Sequence, residues 1–255
     1  MNGERMLKAV LVATVIACMG TPTNAPAGLD LTWGSCSRDG GTTNVNVDCT
    51  QSHVYHLVAN LQVPRRVDCA VGMTAQFDMQ IEGYVETPPF WHMEQGGCNY
   101  GGLSVSASVG AIGGTCSAVS LADSAIGGMS AYGAGVRGPN RPLFFVFLTR
   151  TSGAWLLQPG INYYVFDLRV ATTASDKAGG TCPGCQAKVA IVWNTADVFA
   201  IEGPGGQGPC YDNDLLVENP GDVGWCATWN GASDETCATT PVRNRTWGQI
   251  KAIYR

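Results

Sequence analysis

The side chains in this 255-residue chain that bear on chemistry are one closely spaced cysteine pair, three histidines, a few clustered carboxylates and seven tryptophans. Cys182-Pro183-Gly184-Cys185 has the spacing of a redox dithiol. Such a site needs the pair at a helix N-terminus, where the dipole lowers a thiol pKa. The residues that follow, Gln186 to Trp193, read instead as a strand. A zinc ribbon needs a second pair of this kind, and the sequence has none. The motif therefore predicts a structural disulfide.

The histidines are His53, His56 and His92. A catalytic triad needs one of them beside a nucleophile and a carboxylate. No serine sits in a Gly-x-Ser-x-Gly elbow; Gly128-Met129-Ser130-Ala131-Tyr132 comes nearest but lacks the last glycine. His53 and His56, three apart on a strand, point to opposite faces and make a poor metal pair. His92 follows Trp91 on a loop opened by Pro88-Pro89 and is the histidine to test. Among carboxylates, Asp212 and Asp214 lie beside Cys210, and Asp222 follows in a turn. Oxygen-rich loops hold calcium, although the twelve-residue EF-type loop is absent. A structural calcium at Asp212 and Asp214 is the one cofactor this reading offers. The spacing of paired acids that would cleave a glycoside cannot be read from sequence. Exposed aromatic rings stack on sugars, and the stiff stretch Pro88-Pro89-Phe90-Trp91-His92 is the best candidate for that, with Phe90, Trp91 and His92 as ligand-binding residues.

The elements that must position these residues are strands. Tyr55, Leu57, Ala59, Leu61 and Val63 alternate along 53–63, and Met73, Ala75, Phe77, Met79 and Ile81 alternate along 73–81. Leu103 to Val109, Ile161 to Val170, Lys188 to Trp193 and Val223 to Trp229 continue the pattern. Leu143 to Leu148 is apolar throughout and reads as a central strand covered on both faces. Glycine and proline turns separate these windows. The expected fold is an all-β, disulfide-stapled sandwich of jelly-roll type in a single domain over 28–255. Two helices are expected. One covers Ser117 to Ile126 before Gly127-Gly128. The other covers 246–255, where Thr246 and Gln249 form a capping box and Trp247, Ile250 and Ile253 share a face. That last helix is too short to stand alone and would pack as a lid or serve as a docking tag.

Composition narrows the function. The chain carries a net charge of −5, so nothing attracts a phosphate backbone and nucleic-acid binding is not expected. Charged residues make up 14% against a usual ~25%, leaving a surface rich in Ser, Thr, Asn and Gly. Arg5 and Lys8, the apolar stretch Ala9 to Gly20 and Ala25-Pro26-Ala27 read as an export signal cleaved after residue 27. A minor alternative makes Cys18, in Val15-Ile16-Ala17-Cys18, a lipidated N-terminus. No other apolar run approaches the ~20 residues of a membrane span. Of eleven cysteines, Cys18 leaves with the signal, and an even set in an exported chain is a disulfide framework. Pairing sequence neighbours gives Cys36–Cys49, Cys98–Cys116, Cys182–Cys185 and Cys226–Cys237, with Cys69–Cys210 as the long-range link.

The segments "GLDLTWGSCSRDGG", "SAYGAGVRGPNR", "TCPGC" and "TPVRNRTWGQIKAIYR" resemble those of secreted bacterial proteins of unknown function that end in a Thr-Trp-Gly-x-Ile-Lys-x-x-Tyr-Arg segment. The resemblance implies an exported protein and carries no activity, ligand or catalytic residue. The expected function is that of a secreted, non-catalytic envelope, matrix or surface-assembly protein, whose partners are further copies of itself or cell-surface components. A carbohydrate-binding module is the first alternative and a secreted hydrolase the second.

Overall fold

The computed structural model describes residues 28–112, 114–121, 125–201, 210, 214–218, 225–233 and 237. The export segment, Asp212, Asp222 and the expected helix over 246–255 lie outside these residues.

Among the described residues the chain is all-β, and the alternation of apolar and polar side chains decides where each strand lies. Strands β1 (Gly28–Trp33), β3 (Val54–Gln62), β10 (Tyr163–Ala171) and β5 (Leu103–Ser106) form a five-stranded sheet in that order, with β6 (Val119–Ser120) parallel to β10. The second sheet has eight strands. Its main path runs β2 (Asn44–Val45), β13 (Cys226–Trp229), β11 (Val189–Ala200), β4 (Val67–Ile81), β8 (Leu143–Arg150) and β7 (Ala125–Gly133). Strand β12 (Leu215–Glu218) adds to β11, and β9 (Trp155–Leu157) to β4. Neighbours are antiparallel except where β6 and β2 join.

The sheets pack face to face. Met73, Ala75, Phe77, Met79 and Ile81 of β4 are all buried in the core, as their alternation predicts. Phe77 stacks on Phe144 at 4.8 Å and on Trp193 at 5.5 Å within its own sheet. From the opposite sheet Phe166 meets Phe77 edge-on at 5.9 Å. Such edge and offset contacts add to the burial of large apolar surfaces.

Three local expectations are corrected. The helix over Ser117 to Ile126 does not form: Val119–Ser120 pairs with β10, and β7 begins at Ala125. Ladder bonds along β8 outweigh the helical propensity of so short a stretch. Strand β8 is also not covered equally on both sides: Phe144, Val146 and Leu148 are buried, whereas Leu143, Phe145 and Phe147 are half-buried. Conversely β3 is buried on both faces from Leu57 to Leu61, because Val58 and Tyr164 join Cys36 and Ile112 in a second small core on the outer side of the five-stranded sheet.

The disulfides depart furthest from the sequence-neighbour pairing. Cys69–Cys210 and Cys226–Cys237 are as expected. The other three are Cys36–Cys116, Cys49–Cys185 and Cys98–Cys182. A sandwich brings together loops distant in sequence, so four bridges span 80 to 141 residues. In the chain-entropy description a loop of that size restricts the unfolded chain by roughly 5 kcal/mol.

Burial differs among the bridges. Cys49–Cys185 is buried at both ends, whereas Cys98 is exposed, Cys116 is half-buried, and both halves of Cys69–Cys210 and Cys226–Cys237 are partly exposed. Attack by a thiolate needs access to sulfur. Mild dithiol treatment of the native protein followed by alkylation and mass spectrometry should therefore label Cys49 and Cys185 last, after the cysteines of the four bridges that reach the surface. Early labelling of Cys49 or Cys185 would contradict this order.

Candidate functional sites

The loop chosen from sequence for ring stacking is built into the core. Pro88 and Pro89 lead into a single 3₁₀ turn, Pro89–Trp91, and Phe90 and Trp91 are completely buried. Trp91 packs edge-on against Trp229 at 5.3 Å, and its indole N–H donates to the Gly184 carbonyl at 3.2 Å. Neither ring is presented to a ligand, which corrects the expectation for Phe90 and Trp91. Both nitrogens of His92 are also engaged. Nε2 donates to the Thr87 carbonyl at 3.0 Å, and Nδ1 meets Glu94 Oε1 at 2.6 Å. This histidine clamps its own loop.

What this region does offer is a shallow groove of about 500 Å³, formed by Tyr84 to Pro89 with Pro183 and Gly184. Its walls are fixed. The Phe90 amide donates to the Pro183 carbonyl at 2.9 Å, and disulfides leave from Cys182 and Cys185 on either side. Gly184 has φ +106, and a Cβ there would stand 2.4 Å from that of Pro88, so glycine is required where the two loops touch. Tyr84 is 42% exposed at this groove. The Cys182-x-x-Cys185 pair is no dithiol, since each sulfur is bonded to a different loop.

A histidine–carboxylate pair that sequence reading missed lies on the outer face of the five-stranded sheet. His56 Nδ1 is 2.7 Å from Oδ2 of Asp167, and Arg169 Nε donates to the same oxygen at 3.0 Å. His56 and Asp167 are 111 residues apart, and only the β3–β10 register unites them. Such a pair resembles two members of a catalytic triad. Among the described residues, however, no serine, threonine or tyrosine hydroxyl is hydrogen-bonded to His56.

The outer face of the eight-stranded sheet holds a third polar group. Asp78 is 2% exposed, with the Arg137 guanidinium 3.6 Å away and Asn194 at a bulge in β11. Burial raises the Asp78 pKa above its ordinary 3.8, against the opposing pull of Arg137, Arg141 and Asn194. Of the expected calcium pair, Asp214 accepts the Ala200 amide at 2.7 Å and its carbonyl accepts a bond from Arg65. The one group of potential metal ligands among the described residues, Cys36, Asp39 and Cys116, includes two sulfurs already joined to each other, so no thiolate is free to ligate.

These features define a disulfide-stapled β-sandwich with its polar groups placed on loops and outer faces. No protein-family model matches the chain, and no curated protein is significantly similar to it. Among the described residues no helix is long and apolar enough to cross a membrane.

Two stability measurements check these assignments. Trp91→Ala should cost about 3–5 kcal/mol, as emptying a packed aromatic site does, whereas Tyr84→Ala should be nearly neutral. Equal effects in denaturant titrations would reverse the roles given to the two rings. For Asp78 the native state holds its proton more tightly than the unfolded chain. Stability therefore falls as pH rises from 3.8 through the native pKa, and the loss is complete above that value. Asp78→Asn should raise Tm at neutral pH by about 2–4 °C, a gain that disappears below pH 3.8. A lower Tm at neutral pH would show that the Arg137 pairing outweighs desolvation.

Proposed function

We propose that the protein is a non-catalytic structural component of an extracytoplasmic envelope or matrix, able to associate with further copies of itself. The observation that carries this reading is the internal commitment of its reactive side chains. Ten cysteines form five disulfides, and both nitrogens of His92 are hydrogen-bonded. Five disulfides suit an oxidising compartment. The export-like N-terminal sequence and the resemblance to secreted bacterial proteins support the same location.

Self-association is favoured by the outer face of the eight-stranded sheet. The register aligns Phe199, Gly72, Thr149 and Ile126 in one row, and Leu216, Asp197, Thr74 and Phe147 in the next. Ile126, Leu216 and Phe199 are 61%, 52% and 37% exposed. Apolar side chains grouped in this way are a common basis of protein association. Sedimentation velocity of the mature protein should show concentration-dependent oligomers that Phe199→Asp with Leu216→Asp reduces to monomer. A wild-type monomer at every concentration would refute self-association.

The groove beside Tyr84 supports a second reading, carbohydrate binding. The ring that would stack on a sugar is then Tyr84 and not Trp91. Calorimetry with neutral oligosaccharides should give binding that Tyr84→Ala removes, and the absence of any heat across such a panel would dismiss it.

A further inference from the structure

His56 on β3 lies directly opposite Arg169 on β10, and Arg169 lies directly opposite Ser104 on β5. Directly opposed residues share a face and have Cβ atoms about 4.5–5.5 Å apart. The three side chains thus form one row across three neighbouring strands. Asp167 holds two of them through Oδ2. It is completely buried, and its Oδ1 has no partner. Nε2 of His56 and the Nη groups of Arg169 have no hydrogen-bond partner among the described residues. The two side chains keep 22% and 31% of their surface exposed, and Ser104 is exposed.

A buried carboxylate is costly unless its charge is compensated. Here the compensation also orients the two groups that supply it. Arg169 binds inward through Nε, which leaves the outer edge of its guanidinium free. His56 binds inward through Nδ1, which leaves Nε2 on the opposite side of the ring. We propose that the row His56–Arg169–Ser104 is a binding site for an oxyanion, the chemistry shared by sulfate groups, phosphate monoesters and carboxylates. The guanidinium edge and the serine hydroxyl donate to it directly, with the His56 ring at the other end of the row.

The charged groups facing His56 are Asp167 and Arg169, both on β10. On the β1 side the Gly34 amide donates to the His56 carbonyl at 2.8 Å, and on the far side β5 contributes Ser104. The site does not depend on self-association, since a strictly monomeric protein would still bind.

The test is NMR of the His56 ring protons in the full oxidised chain, titrated in separate arms with sulfate, inorganic phosphate and galacturonate at constant ionic strength. The expected result is a saturable shift in at least one arm. The arm saturating at the lowest concentration identifies which source of oxyanion the site prefers. Arg169→Lys should weaken binding about tenfold, because lysine lacks the planar fork. Ser104→Asp places a negative charge at the exposed end of the row without touching the Asp167 anchor, and should abolish binding while leaving Tm unchanged. Non-saturating shifts in every arm, or equal binding by Ser104→Asp, would overturn the proposal.

Discussion

The burial of Trp229 is the packing constraint on which the rest of the molecule depends. Its ring meets Trp33 and Tyr55 from the opposite sheet at 5.8 and 5.2 Å, and Trp91 from the proline loop at 5.3 Å. Its indole N–H donates to the Cys185 carbonyl at 2.8 Å. Trp33 in turn donates to the Thr228 carbonyl at 3.0 Å. Two sheets and two loops therefore converge on one side chain, and the polar edge of every ring is satisfied as it is buried. The Cys49–Cys185 bridge then locks the loop that supplies the acceptor.

This arrangement explains why the proline loop presents a groove and not a ring. Trp91 is drawn inward because Trp229 and the Gly184 carbonyl together offer it an apolar wall and a hydrogen-bond acceptor. The loop's remaining outward surface is Tyr84, Val85, Glu86 and Pro89. The same demand that stiffens the loop removes its largest aromatic from solvent.

The outer faces are organised differently. On the five-stranded sheet, the Cys36–Cys116 bridge, Val58, Tyr164 and Ile112 make a second apolar cover, and Asp167 is buried beyond it with His56 and Arg169 attached. On the eight-stranded sheet, Asp78 is buried centrally while Ile126, Phe199 and Leu216 stay exposed. Polar groups that would be costly alone in a low-dielectric setting are held next to guanidinium groups in both places. The proposed self-association and oxyanion binding thus concern opposite outer faces of the sandwich.

The amino-acid sequence by itself determined the all-β class, the face that β4 buries, and the use of ten cysteines as staples. Those properties follow from local rules: a period of two along a strand, and an even cysteine set behind an export-like segment. The alternation in Met73 to Ile81 is enough to place Phe77 and Met79 inside. Tertiary structure alone decided which loops meet. Cys182 and Cys185 are three residues apart yet bond to Cys98 and Cys49, and His56 finds Asp167 through a sheet register that no local pattern encodes. Even Trp91, legible as a stiff aromatic loop, could not be assigned inside or outside until Trp229 was in place. A contact across a sheet depends on how two distant segments align, and only the folded chain fixes that alignment.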